Sequence, residues 1–370
     1  MDFPIDLTRL NICFIAGTLG QGGAERQLFY LLKTLRSVGA SPHLLSLTQG
    51  EFWEAHIREL GVPVIWVGQT ESRLSRLRRI ITELRALKRD SEQRLVLQSQ
   101  HFYTNIYAAA AARALNTREI GAMRCDGLSE VQAHGRLLGG LSLKLPRLIA
   151  ANSQAAIRFA VDYGIPASRL FLLPNAIESD LFNSEPKEGS GEIKLLTVGR
   201  LEEQKRIDRF LRLVATVKRQ SAKTIRAIIA GDGSLRKQLE AQSVELGLNG
   251  TVEFRGLVND MASLYREADI FVLTSDWEGT PNVVLEAMAA GLPVLSTNVG
   301  GVPDIVKHGQ SGLLADPQDE DLLINQLIEL INNSDLRGRL GNQARIHVEE
   351  NHSLKRLPFI LSKLYQLALS

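Results

Sequence analysis

Short apolar runs alternate along this chain with longer stretches in which apolar positions recur at helical spacing. In the first half, NICFIAG, HLLSL, VPVIWV, RLVLQS and LIAAN read as buried strands. Helical patterns separate them, notably over Ala24–Val38, Leu74–Arg89 and Ile106–Leu115. The alternation breaks at Asn183–Glu192, NSEPKEGSGE, a polar stretch with Pro and Gly and no period, which reads as a linker. A second series follows. IKLLTVG, IRAIIAG, TVEFRG, DIFVLT and GLPVLST are its strands, and the helical stretches lie near Ile207–Lys218, Leu235–Leu246, Asn282–Ala290 and Glu320–Asn332. The tail, Ser353–Leu369, is helical again. Strand–helix alternation predicts βαβ units, so the expected architecture is α/β, with two doubly wound parallel-sheet domains facing a central cleft.

The length of 370 residues fits two domains, and 44% apolar with 23% charged residues is ordinary for a globular protein. Charge is uneven: the first 180 residues are net basic and the remainder net acidic. The excess gathers in Arg73, Arg76, Arg78, Arg79, Arg85, Lys88 and Arg89, on one predicted helix. That helix is either a solvated basic face or a patch for anionic lipid or a phosphorylated acceptor. No aromatic-rich basic motif accompanies it, so nucleic acid is not an expected partner. Two cysteines, Cys13 and Cys125, exclude a disulfide framework or a CxxC metal site and favour a reducing compartment. The opening residues, MDFPIDLTRLNICF, carry early acids and no long apolar segment, so no signal peptide is expected, and no run is long enough to span a membrane. The protein is expected in the cytoplasm, with the basic helix as a peripheral membrane contact.

Open α/β sheets bind ligands beyond the carboxyl ends of their strands, so the residues that follow the strands carry the chemistry. The first strand ends in GTLGQGGAERQ, where Gly22 and Gly23 precede a helix. Such a turn suits an anion, although the spacing is neither GxGxxG nor a P-loop. In the second half, VGRLEEQKRID places Arg200 and Lys205 after a strand, one bidentate donor and one point charge for a diphosphate. The next turn, AGDGSLRKQLE, reads as a tight strand–helix connection with Ser234 as a candidate cap. The stretch SDWEGTPNVVLEAMAAGLPVLST holds Glu278 before a helix and Glu286 inside it. Thr280 reads as the N-cap and Pro281 as the first helical residue. The helix start then offers amides and a positive dipole end to an anion, and Glu286 lies about 7–8 Å further along the axis, at a spacing that suits ribose hydroxyls. An acid amid VVLEAMAAGLPVL needs such partners.

Together these segments resemble glycosyltransferase family 4, the group 1 retaining glycosyltransferases of GT-B fold. EGTPNVVLEAMAAGLPV is similar to that family's E-x7-E segment, and VGRLEEQKR to its Arg/Lys donor-phosphate motif. GDGSL, VEFRGL, GGVPDIV and GQSGLL follow in the family's order, and GQGGAER, ANS and LPNAIE are similar in the first half. The resemblance implies two Rossmann-like domains, residues 1–182 on the acceptor side and 193–353 on the donor side, with 183–192 linking them and a terminal helix at about 354–370 packing back on the first. It implies that Arg200 and Lys205 neutralise the donor diphosphate and that Glu286 holds the ribose. Glu278 and the backbone of Gly279, Thr280, Pro281 and Asn282 would contact the transferred sugar. Gly22 and Gly23 would close over the phosphates. His101 is the candidate for the family's donor-contacting histidine, although Gln98 and Gln100 stand where many relatives carry His. Arg124 and Asp126 are acceptor-side candidates.

The implied reaction is retaining transfer of a hexose from a nucleotide sugar, UDP favoured and GDP possible. The acceptor would be a hydroxyl of a glycan or polyprenyl-linked saccharide. The nucleotide sugar is a co-substrate and no cofactor is expected. The one DxD, Asp319–Asp321, sits at a predicted helix start where acids favour the dipole, so no metal is expected either. A nucleotide-sugar-binding protein without turnover, or a GT-B phosphorylase or epimerase, is the alternative.

Overall fold

The computed structural model describes residues 4–68, 72–125, 127–182 and 191–370. The chain forms two compact units, Met1–Ala176 with Leu354–Ser370, and Ile177–Ser353.

The first unit is built on seven strands: β1 (Leu10–Ala16), β2 (His43–Ser46), β3 (Val64–Trp66), β4 (Arg94–Ser99), β5 (Arg118–Met123), β6 (Leu148–Ala151) and β7 (Leu170–Leu172). They pair in the order β3-β2-β1-β4-β5-β6-β7, all parallel. Around them lie α1 (Gly23–Ser37), α2 (Phe52–Glu59), α3 (Arg73–Arg89), α4 (Asn105–Leu115), α5 (Gly127–His134), α6 (Arg136–Lys144) and α7 (Gln154–Asp162). Every residue of β1, LNICFIA, is buried, as expected of a central strand covered on both faces. Its alternation sends Ile12, Phe14 and Ala16 to a core with α1, and Cys13 and Ile15 to a core with α3 and α4.

The second unit carries β8 (Glu192–Val198), β9 (Thr224–Ala230), β10 (Val252–Gly256), β11 (Ile270–Leu273), β12 (Val294–Thr297) and β13 (Leu313–Ala315). Their order is β10-β9-β8-β11-β12-β13, again parallel throughout. Its helices are α8 (Ile207–Gln220), α9 (Arg236–Glu245), α10 (Met261–Glu267), α11 (Asn282–Ala289), α12 (Val302–Ile305), α13 (Glu320–Asn332) and α14 (Ser334–Asn351). The last helix, α15 (Leu357–Leu369), belongs to the first unit. Leu357, Leu361, Leu364 and Tyr365 enter the core on the α1 face, and the Tyr365 hydroxyl donates to Gln98 Oε1 at 2.5 Å.

The chain divides after Ala176, earlier than the boundary expected at 182. Ile177 bridges to Ser353 and its amide donates to His352 O. Phe182 then packs edge-on against Tyr265 of α10, which ties 177–182 to the second unit. Of the expected linker, 183–190 lies outside the described residues, and β8 already begins at Glu192.

Leu361 is fully buried against α1. Leu361→Ala is expected to cost about 2–5 kcal/mol in urea unfolding of the first unit. A loss too small to measure would mean that α15 is not part of that core.

Candidate active site

In each sheet the strand order reverses beside the first strand, between β1 and β4 and between β8 and β11. Such reversals leave a crevice at the strand ends, where ligands bind in open α/β folds. Gly22, Gly23 and His101 follow β1 and β4, and Arg200, Lys205 and Glu278 follow β8 and β11, whereas Arg124 follows β5 and Glu286 lies within α11.

In the second unit, the turn after β8 and the turn after β11 are knitted together. Thr274 Oγ1 donates to the carbonyls of Lys205 and Arg206, the Asp276 amide donates to Gln204 O, and Gln204 Nε2 donates to Trp277 O. Arg206 adopts a left-handed conformation, φ 48°, which turns the chain sharply into α8. Its guanidinium and that of buried Arg209 both donate to the Asp276 carboxylate. This scaffold sets Lys205 Nζ 2.6 Å from Glu278 Oε1. The Ser275 hydroxyl donates to the same oxygen, also at 2.6 Å. Both charged side chains are nearly removed from water, at 14% exposure for Lys205 and 6% for Glu278. The turn after β12 completes the wall: Gly301 N–H donates to Gly279 O. Gly300, at φ +52°, lies so close that a Cβ there would fall 1.8 Å from Glu278 O. Only glycine fits that approach.

Arg200 is exposed, 3.4 Å from Gln204 Oε1 through Nη2. It stands at the rim, joined through Gln204 to the Trp277 carbonyl, while Lys205 is inside. Helix α11 begins at Asn282 with Pro281 as its cap, ψ 114°. The expected cap, Thr280, lies one residue before the cap position, because the extended ψ of Pro281 keeps it out of the helix. Proline has no side-chain acceptor, so Pro281 itself makes no side-chain cap bond. Glu286, 1% exposed, accepts a 2.9 Å hydrogen bond from the Tyr265 hydroxyl, which also lies 3.1 Å from Val283 O. Ser234 is not a cap either: its amide and hydroxyl both donate to the Glu202 carboxylate, and Leu235 occupies the cap position of α9. Asp319 caps α13 by accepting from Leu322 N–H. Among the described residues no cluster of three or more His, Cys, Asp or Glu is arranged to hold a metal ion. A depression of about 350 Å³ adjoins Arg206 and Trp277. Its acidic lining of Glu202, Glu203, Asp208 and Asp276 does not suit an anionic ligand.

In the first unit, the loop after β4 folds against the turn after β1. His101 Nδ1 accepts from Gly17 N–H at 3.0 Å, and Nε2 lies 3.1 Å from Glu25 Oε1 in the first turn of α1. Gln98 receives the Tyr365 hydroxyl, and Gln100 Nε2 donates to Ala24 O. Of these three side chains, only His101 meets the Gly-rich turn through its ring. Gly22 is the backbone cap of α1 and Gly23 its first residue. Two carboxylates already line this turn. Glu51 accepts from Thr18 Oγ1 at 2.8 Å and from Leu19 N–H, and Glu25 reaches back toward Gly22. Tyr103, stacked on His101, has its pKa pushed up to about 12 by burial and by the nearby Glu25 and Glu51 charges. Arg124 is 7% exposed and donates to Leu173 O, and burial lowers its pKa to about 10. Asn152 Nδ2 donates to Arg124 O. Asp126 lies outside the described residues.

Glu25, Tyr265, Ser275 and Asp276 were not singled out from sequence. Glu25 and Asp276 stand inside quoted motifs, GGAER and SDWEGT, but their partners come from elements far along the chain. Tyr265 has no local signal at all.

Two α/β units with these sheet orders define a GT-B glycosyltransferase fold. Anabaena Alr3699/HepE, solved in complex with UDP, superposes with a TM-score of 0.84 over 96% of this chain and 99% of that one, at 19% identity. It has also been solved with UDP-glucose. The model for glycosyl transferases group 1 matches residues 179–347, and that for glycosyltransferase family 4 matches residues 21–181. The chain belongs to the group 1, family 4 glycosyltransferases, and its reaction class is glycosyl transfer. The GalNAc-alpha-(1->4)-GalNAc-alpha-(1->3)-diNAcBac-PP-undecaprenol alpha-1,4-N-acetyl-D-galactosaminyltransferase of Campylobacter jejuni is 28% identical over 91% of this chain and 93% of its own length. An uncharacterized glycosyltransferase of Methanocaldococcus jannaschii is 34% identical over 48% of this chain, a match that spans 46% of that protein.

The Asp276 scaffold carries a pH signature. Burial opposes ionisation of Asp208, but hydrogen bonds from Arg206 and Arg212 prevail and hold its pKa at about 2, against an ordinary 3.8. A depressed carboxylate stabilises the fold above its unfolded pKa of about 4 and ceases to do so as pH falls toward 2. The thermal midpoint of the protein is therefore expected to fall between pH 4 and pH 2 more steeply than that of Asp208→Asn. Parallel slopes would show that Asp208 is not ion-paired.

Proposed function

We propose that the protein is a metal-independent retaining hexosyltransferase. It moves a sugar from a nucleotide-sugar donor, UDP-sugar favoured over GDP-sugar, to a hydroxyl of a glycan or polyprenyl-linked acceptor. The observation that carries this reading is the largely buried Lys205–Glu278 pair in the turns that lead into α11. In the free protein each charge is matched by the other. A diphosphate at the helix start gives Lys205 a second anion and draws Arg200 in from the rim. Glu278 is then available to accept from hydroxyls of the transferred sugar, and Glu286, oriented by Tyr265, accepts from the ribose. Gly279, Thr280, Pro281 and Asn282 supply the backbone against which the sugar and phosphate rest.

In the reaction the bond from the anomeric carbon to the β-phosphate oxygen breaks, and the acceptor oxygen bonds to that carbon. The acceptor proton passes to the departing phosphate oxygen, and the nucleoside diphosphate leaves. Negative charge grows on the diphosphate as oxocarbenium character grows on the sugar. Lys205, Arg200 and the α11 amides are preorganised where that charge appears. Retention is supported by the alpha linkage in the name of the Campylobacter relative, because common UDP-D-hexoses are themselves α-linked. That relative's undecaprenol-linked substrate, and the UDP and UDP-glucose complexes of the Anabaena protein, support the acceptor and donor classes.

His101 is assigned as a donor-sugar contact. Arg124 and Asp126 remain acceptor-side candidates, Arg124 through the loop it anchors, since its guanidinium is turned inward. Gly22 and Gly23 are assigned to donor binding, and charge neutralisation to Arg200 and Lys205. The α3 residues Arg73, Arg78, Arg85, Lys88 and Arg89 are exposed, and we assign this face to anionic lipid at the cytoplasmic side of a membrane. Among the described residues no helix is long and apolar enough to cross one.

Calorimetry against UDP, GDP, ADP and TDP, followed by nucleotide release from the matching sugar nucleotides, tests the donor reading. Glu286→Ala is expected to weaken binding of the preferred nucleotide about tenfold to a hundredfold, the worth of charged hydrogen bonds to two hydroxyls. Lys205→Ala is expected to slow transfer about a hundredfold or more with a smaller effect on binding. Wild-type behaviour in both variants would remove the donor site from this part of the molecule.

A further inference from the structure

The His101–Glu25 contact admits only one arrangement of protons in the neutral ring. A backbone N–H can only donate, so Nδ1, facing Gly17 N–H, is the bare nitrogen. Nε2 therefore carries the proton and donates it to Glu25 Oε1. Both side chains are close to fully buried, at 12% and 10% exposure, so neither bond is traded freely for water. Helix α1 is shaped to permit this. Its cap, Gly22, has no side chain, and a Cβ there would lie 2.2 Å from Glu25 Oε2. A Cβ at 22 would force that carboxylate to shift. Gln100, by donating to Ala24 O, fastens the same first turn to the loop that bears His101.

We propose that Glu25 is a positioning residue for His101. It fixes the direction of the Nε2–H bond and the plane of the ring, so that the histidine meets the donor sugar in one orientation. This rests on the assignment of His101 to the donor sugar made above. An acid in the first turn of a helix also favours the helix dipole, and that role alone makes no demand on the ring.

The experiment combines a histidine-selective ¹H–¹⁵N spectrum with steady-state release of UDP or GDP. The substrate is whichever of UDP-glucose, UDP-galactose, UDP-N-acetylglucosamine, UDP-N-acetylgalactosamine and GDP-mannose turns over fastest. In the wild type the Nε2 proton of His101 is expected to be visible and slow to exchange. In Glu25→Ala it is lost, and kcat falls about tenfold to a hundredfold with little change in KM, as a displaced reacting geometry predicts. Glu25→Gln, which keeps an oxygen for Nε2–H, restores the proton signal and most of the rate, and guards against a variant that merely misfolds. Gly22→Ala reproduces the Glu25→Ala loss. The double variant Glu25→Ala with His101→Ala is no slower than His101→Ala alone. If His101→Ala slows turnover but Glu25→Ala leaves the proton signal or kcat unchanged, Glu25 does not position the ring. If His101→Ala itself leaves kcat unchanged, the donor-sugar assignment falls first and the role of Glu25 falls with it.

Discussion

The Lys205–Glu278 ion pair is the contact on which the second unit's site depends. Taking both charges out of water is costly, and mutual attraction recovers that cost only where geometry is good and further hydrogen bonds exist. Here Ser275 adds one to the same carboxylate oxygen. The two residues lie far apart in sequence. They meet because β8 and β11 are neighbours in the sheet although two strands intervene along the chain. The pair is thus a product of topology. The turns that carry it are held by Thr274, Gln204 and Asp276, whose partners are mostly backbone atoms of the opposite turn. A site built this way is stiff before any ligand arrives, which is what electrostatic stabilisation of a growing charge requires.

The two units share a sheet plan and differ in the sign of charge at equivalent turns. After β8 stand Arg200 and Lys205, and after β1 stand glycines with Glu51 and Glu25 folded over them. Both turns precede a helix and both would serve as anion sites on geometry alone. The cations Arg200 and Lys205 favour the first, although Glu202 and Glu203 stand in the same turn, and the second is lined by two carboxylates. This is why the donor is assigned to the second unit, and why a Gly-rich turn alone is a poor guide to phosphate.

The long apolar strands were legible in sequence, because a parallel sheet buried on both faces needs continuous runs such as LNICFIA and TIRAIIA. Strands β7 and β13 were not, whereas β3, equally short, stood out because it lies in the longer apolar run VPVIWV. Strand β5, REIGAM, was recognisable only as the element preceding Arg124; its charged and glycine positions hide the pattern. Glu278 and Glu286 stood out because a helix start, a proline and two acids stand at a fixed spacing, and Arg200 and Lys205 because two cations follow a strand. The partners were not. Ser275 and Asp276 are ordinary loop residues until β8 and β11 are placed side by side, and Glu25 gains a role only once β4 lies next to β1. The cap of α11 shifted by one residue for a local reason, the extended ψ of Pro281, which composition cannot reveal.

Glu286 shows how a neighbouring helix prepares a ligand group. A carboxylate has room for about four hydrogen bonds. The Tyr265 hydroxyl takes one position on Oε2, and Tyr265 is itself fully buried, pinned by edge-on contact with Phe182. That orients the carboxylate, which is the preparation that the proposed ribose contact calls for. Residues 177–182, expected in the first domain, therefore act through Phe182 and Tyr265 on Glu286 of the second unit, which is a physical reason for the chain to divide after Ala176.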